Sequence, residues 1–237
     1  MLVIPSVDIL GGKCVRLIKG VPETAKVYYE NPIDAALKWE REGAEAIHIV
    51  DLDAALGRGN NLNIIIRLIK TLSAKVQVGG GIRNIEKALN LYSQGAERII
   101  LGSEAIRNPK IVSELAERIG SKHVMVSLDY KGEKIAVEGW KKITRDNLFQ
   151  TAVKMETLGT GWILSTSIVR DGTFEGVDLK TMQKLVKSVK IKVVASGGVR
   201  SLEDILNLKK IGVSGVVIGK ALFEGSIDLK EAIRMGA

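Results

Sequence analysis

At 237 residues, with 46% hydrophobic and 26% charged side chains, the chain is long enough for one large α/β domain, and no run approaches the ~20 apolar residues of a membrane span. One cysteine, Cys14, excludes an internal disulfide; only His48 and His123 are histidines, and no Cys/His cluster has metal-ligand spacing, so neither a metal nor a cofactor site is expected. The net charge of +8 suits an anionic partner, but aromatics at 4% and scattered basic residues argue against nucleic acid and for a small anionic substrate.

The first residues read as a buried strand, Leu2–Val7, ending on Asp8. They lack the basic segment and cleavable apolar stretch of a secretory signal, so a cytoplasmic setting is expected. Pro32–Glu42 follows as a helix with apolar residues at Ile33, Ala36 and Leu37. The second strand, Ala46–Val50, contains His48, read as an interior residue, and runs into Asp51 and Asp53, which orient either a ligand or a loop. Helix Leu62–Leu72 leads to strand three, Lys75–Val78, and then to Gly79, Gly80, Gly81, Ile82 and Arg83. Asn84 caps helix Ile85–Ser93; strand four, Arg98–Leu101, ends at Gly102 and Ser103. Helix Ile111–Ile119 precedes strand five, His123–Leu128, which ends on Asp129 and enters a loop holding Trp140.

The remaining units repeat the pattern. Helix Asn147–Leu158 is followed by strand six, Gly161–Ser165, then Thr166 and the stretch Asp171-Gly172-Thr173 with Gly176 beyond it. Helix Leu179–Val189 precedes strand seven, Ile191–Ala195, and then Gly197 and Gly198. Ser201 caps helix Leu202–Ile211; strand eight, Gly215–Ile218, ends at Gly219 and Lys220; Asp228 caps helix Leu229–Met235. Glycines at 43, 95, 120, 159 and 212 close helices. Largely apolar strands suit a parallel sheet covered on both faces. Eight even units predict a single (β/α)8 TIM barrel over residues 1–237; an open doubly wound sheet lacks its Gly-x-Gly-x-x-Gly after the first strand.

The chain also repeats internally. Gly80-Gly81-Ile82-Arg83 recurs as Gly197-Gly198-Val199-Arg200, an offset of 117 residues that also pairs Gly102 with Gly219. Asp8, Gly11 and Lys13 recur as Asp129, Gly132 and Lys134 at an offset of 121. Half-barrels of about 1–120 and 121–237 would face each other across the axis. Glycines at these strand ends let backbone amides approach an anion, and loops after strands seven and eight are the usual phosphate site of this fold. The repeat adds a second such site after strands three and four, so a substrate with a phosphate at each end is expected. Asp8 and Asp129 at opposed strand ends supply the two carboxyl groups that an acid–base isomerisation needs. Thr166 can assist proton transfer, Asp171 lies in the same loop, and Trp140 can stack on a planar ring.

The stretch Ile-Pro-Ser-Val-Asp-Ile-Leu-Gly-Gly-Lys-Cys-Val-Arg, with His-Ile-Val-Asp-Leu-Asp, Val-Gly-Gly-Gly-Ile-Arg, Val-Ser-Leu-Asp, Asp-Gly-Thr and Ala-Ser-Gly-Gly-Val-Arg, resembles the histidine-biosynthetic barrel isomerases from residue 1 to about 225. That resemblance implies a cofactor-free Amadori rearrangement of a bisphosphorylated aminoaldose, with Asp8 as base, Asp129 as acid and Thr166 as helper. Pro5-Ser6-Val7-Asp8 and Gly11-Gly12-Lys13 resemble the isomerase more than the related cyclase subunit of imidazole-glycerol-phosphate synthase. A non-catalytic phosphate-binding barrel would gain nothing from two carboxylates facing an anion. Some relatives also accept phosphoribosyl-anthranilate; Glu138, beside Trp140, would repel its carboxylate, although Lys131, Lys134, Lys141 and Lys142 are close in sequence. A monofunctional, monomeric enzyme is expected.

Overall fold

The computed structural model describes residues 1–237. Strand β1 (Leu2–Leu10) turns through Gly11 and Gly12 into a hairpin, β2 (Lys13–Ile18) and β3 (Val21–Tyr29). Both turn glycines have positive φ, 56° and 77°, as a tight two-residue hairpin turn requires. Helix α1 (Pro32–Arg41) leads to β4 (Ala46–Asp51), α2 (Leu52–Leu56), α3 (Leu62–Thr71), β5 (Lys75–Gly79), α4 (Ile85–Ser93), β6 (Arg98–Leu101), α5 (Ser103–Arg107) and α6 (Lys110–Ile119). The second half starts with β7 (Val124–Lys131) and its hairpin, β8 (Lys134–Val137) and β9 (Lys142–Asn147). It continues through α7 (Leu148–Thr157), β10 (Trp162–Ser167), α8 (Leu179–Ser188), β11 (Lys192–Ser196), α9 (Leu202–Lys210), β12 (Gly215–Ile218), α10 (Lys220–Phe223) and α11 (Leu229–Gly236).

Eight strands, β1, β4, β5, β6, β7, β10, β11 and β12, pair in parallel, and β12 pairs back onto β1. The result is the expected closed (β/α)8 barrel. Asn84, Ser201 and Asp228 cap α4, α9 and α11, their side chains accepting from the amides of Lys87, Asp204 and Glu231. The apolar stripe of α3 buries Ile65, Leu68 and Ile69, one face of a helix, against the barrel. No helix is long and apolar enough to cross a membrane.

Two cores result. A set of 54 buried residues fills the space between strands and helices. A smaller set, including Ile4, Ile100, Met125, Trp162, Leu164 and Val217, plugs the barrel interior, so the barrel is a packed body open only at its mouth. Fully burying each Val, Leu or Ile contributes roughly 1.5–3 kcal/mol.

The structure departs from the sequence expectation in three respects. The two hairpins, one after the first barrel strand and one after the fifth, stand where loops are expected. Strand β1 therefore runs past Asp8 and β7 past Asp129, and His123 falls in a 3-10 turn rather than in the strand. The short helices α2, α5 and α10 have four or five residues, too few to show a helical period.

Candidate active site

A cavity of about 460 Å³ opens at the C-terminal ends of the barrel strands. Asp8, Gly80, Gly81, Arg83, Gly102, Ser103, Asp129, Trp140, Thr166 and Asp171 all line it. Gly172, Gly197, Gly198, Gly219 and Lys220 line a smaller adjoining pocket of about 20 Å³, and Arg16 and Asp171 border both spaces. Of the residues singled out from sequence, Gly176, Asp51 and Asp53 line neither; the Gly176 amide donates to the Gly198 carbonyl at 3.0 Å and so braces that loop.

Asp8 is held by Arg16, which sequence reasoning did not single out. The β1–β2 register sets Asp8 opposite Val15, and Arg16 Nη1 then reaches Asp8 Oδ2 at 2.7 Å and the Ser6 hydroxyl at 2.5 Å. Both side chains of the pair are nearly buried, 14% and 11% exposed. Burial pushes the Asp8 carboxyl above the ordinary range, and the guanidinium opposes that shift. Cys14, on the same hairpin, is buried, and burial with the nearby Asp8 charge pushes its thiol up to about 12, so it stays unreactive.

Asp129 is held differently. Its two oxygens accept from neutral donors: the Ser127 hydroxyl at 2.8 Å and the Trp140 indole N–H at 2.7 Å. Thr166, its register partner on β10, faces the same carboxyl. Burial raises its pKa, and these three donors oppose the shift. Asp171 is the third carboxyl in this space. Burial pushes it up to about 6; Arg16 and Lys220 hold it down, while the charges of Asp8 and Asp129 push it further up.

The glycines have steric duties as well. A Cβ at Gly80 would overlap the Asp51 backbone, and one at Gly81 the Ala54 backbone. In the other half, a Cβ at Gly197 would come within 2.9 Å of the Ser167 carbonyl oxygen, and one at Gly198 would overlap the Gly176 carbonyl. Gly219 makes room for the guanidinium of Arg16. Asp51 and Asp53 settle as loop-holding groups: Asp51 caps α2 and binds Asn61, and Asp53 accepts from the Gly11 amide at 2.7 Å. Arg83 donates to the Ala54 carbonyl at 3.0 Å. Glu138 is not the bare anion the sequence suggested: Arg107 pairs with it at 2.8 Å, bringing α5 against the β8–β9 loop.

Trp140 is clasped on its other side by the first hairpin. Its indole ring fills the space a side chain at Gly20 would take, and the Lys19 amide next door donates to the Asp171 carbonyl at 3.2 Å. Gly20→Ala should therefore displace the indole from Asp129 and lower kcat/KM by roughly 10-fold or more. Gly225→Ala is the control, because its φ of 71° matches the 69° of Gly20 and no atom lies within 4 Å of the added methyl. Equal losses in the two variants would assign the effect to backbone strain and dismiss the clasp.

Residues 2–228 match the histidine biosynthesis protein family. A relative from Methanococcus maripaludis, 46% identical over 98% of this chain and 98% of its own, is named 1-(5-phosphoribosyl)-5-((5-phosphoribosylamino)methylideneamino)imidazole-4-carboxamide isomerase. Relatives of the same name from Thermoanaerobacter pseudethanolicus and Methanothermobacter thermautotrophicus are also 46% identical, covering 99% of this chain and 99% and 98% of their own.

Proposed function

The chain belongs to the histidine biosynthesis protein family, and we infer that it catalyses the isomerisation for which its relatives are named, an Amadori rearrangement of a bis-phosphoribosylated imidazole carboxamide. The observation that carries this reading is the pairing of Asp8 and Asp129 on opposite barrel strands around one cavity flanked by two glycine-lined ends.

Asp129 protonates the furanose ring oxygen, which breaks the bond from C1 to that oxygen and leaves an open-chain iminium. Asp8, ion-paired with Arg16, takes the proton from C2. The C2–H electron pair becomes the C1–C2 double bond of an enolamine. Protonated Asp8 then returns a proton to C1 while the C2 hydroxyl passes its proton to the Asp129 carboxylate, which gives the C2 ketone of the aminoketose and resets both carboxyls. Every proton and electron pair stays within substrate and carboxyls, so the step balances as an isomerisation. Thr166 and Ser127 orient Asp129. The loops at Gly80, Gly81, Gly102 and Ser103, and at Gly172, Gly197, Gly198, Gly219 and Lys220, take the two phosphates. A second reading of the acid is favoured by Asp171: its carboxyl, pushed up to about 6 by burial, is poised to hold a proton.

The test is turnover of the bisphosphorylated aminoaldose by the purified chain, with phosphoribosyl-anthranilate as competitor. Arg107 pairs with Glu138 at 2.8 Å, an ion pair that the anthranilate carboxylate would have to replace. The ratio of specificity constants should favour the imidazole substrate by roughly 10-fold or more. A ratio near unity would mean that Arg107 changes partners; no turnover of either substrate would sink the isomerase reading.

A further inference from the structure

Three polar side chains cross the floor of the barrel and take no part in the chemistry described above. Register sets Ser6 on β1 beside His48 on β4, His48 beside Gln77 on β5, and Gln77 beside Arg98 on β6. His48, Gln77 and Arg98 are all buried. Arg98 lies over the Trp162 ring, 4.4 Å from its centroid, and its Nε donates to Gln77 Oε1 at 3.2 Å. A guanidinium only donates, so it decides which end of the glutamine amide faces it. The other end, an amide nitrogen that also only donates, then meets His48 Nδ1 at 2.9 Å. Nδ1 must accept, and a neutral imidazole that accepts there carries its hydrogen on Nε2. Burial, with Arg16 and Arg98 nearby, holds the His48 pKa down to about 3, so the ring does not become a cation near neutrality. No protein group bonds to its Nε2, and the residue lines the catalytic cavity close to Ser6 and Arg16.

We propose that the Arg98–Gln77–His48 chain presets His48 Nε2–H as a neutral hydrogen-bond donor on the cavity floor, where it holds an oxygen of the sugar that is being rearranged. This assignment rests on the isomerase reading for the identity of the ligand. Both glycine-lined anion sites lie in the loops above the floor, whereas His48 is inside β4, one level below Val50, the register partner of Asp8. A neutral donor at that depth matches a hydroxyl or ring oxygen rather than a phosphate. Gln77 and Arg98 are positioning residues that act through His48.

The chain has only two histidines, so ¹⁵N-histidine NMR resolves the question directly. His123 provides the opposite reference, because its Nδ1 lies 2.7 Å from the Glu97 carbonyl oxygen and must donate to it. We expect His48 as the Nε2–H tautomer and not titrating between pH 8 and 5, with its Nε2 resonance shifting when the bisphosphorylated aminoaldose is added to the Asp8→Asn variant. Gln77→Glu, nearly isosteric, turns the neighbour of Nδ1 into an acceptor. At alkaline pH it should switch His48 to Nδ1–H and raise KM roughly 3- to 10-fold, the worth of one hydrogen bond, with a smaller change in kcat. Nδ1–H in the resting protein would overturn the proposal, as would an Nε2 resonance that stays put when the substrate binds. Absence of turnover in the unaltered protein would instead remove the isomerase reading and the sugar assignment with it, while the tautomer result stands on NMR alone.

Discussion

Asp8→Asn should reduce kcat by roughly 10²–10⁴-fold, the typical contribution of a general base, while leaving the melting temperature and substrate affinity close to those of the parent. The asparagine keeps the shape of the side chain, and its carbonyl oxygen can still accept from Arg16, so the β1–β2 hairpin has no reason to move. What it lacks is a basic oxygen to take the C2 proton. Stopped-flow turnover with calorimetric binding of the substrate separates the two effects. The parent should lose activity as pH falls through the burial-raised pKa of Asp8, because a base must be deprotonated to act. Turnover in Asp8→Asn within a few-fold of the parent would move the base elsewhere.

Asp129→Asn is expected to show a comparable loss and to lose the alkaline limb of the pH–rate profile. An acid must carry its proton, so activity falls as pH rises through its pKa, and burial moves that limb upward from the ordinary carboxyl range. Asp171→Asn is the necessary companion. If Asp171 is the acid, the limb should lie near pH 6 in the parent and vanish in Asp171→Asn, and Asp129→Asn should keep it. The three carboxyls interact through charge, so the limb belongs to the group of them, and only the pair of variants assigns it. A full alkaline limb in both variants would exclude both residues as the acid.

Periodicity and the repeated glycines were sufficient to read the barrel, its eight strands, most helices and the positions of Asp8, Asp129 and Thr166 from sequence. Alternation of apolar strand runs with helical stripes is a local signal, and the Gly-Gly-x-Arg repeats mark strand ends without any knowledge of contacts. The three caps at Asn84, Ser201 and Asp228 were legible for the same reason, since each acts within one helical turn.

Contacts between units required the folded chain. Lys13-Cys14-Val15-Arg16 has no feature that returns it to Asp8; the two-residue Gly11-Gly12 turn does so, by setting the register that aims Arg16 inward. Trp140 and Gly20 come from different halves, and so do Arg107 and Glu138; each pair meets only because the barrel closes and hairpins rise from its mouth. His48, Gln77 and Arg98 read as isolated polar residues inside apolar strands, and become a directed chain only when parallel pairing sets them side by side. Sequence alone therefore determined which residues stand at strand ends, because strand and helix are written in nearest-neighbour patterns. Which of them touch was decided by strand register and barrel closure, which join residues separated by tens of positions in the chain and leave no local periodicity to read.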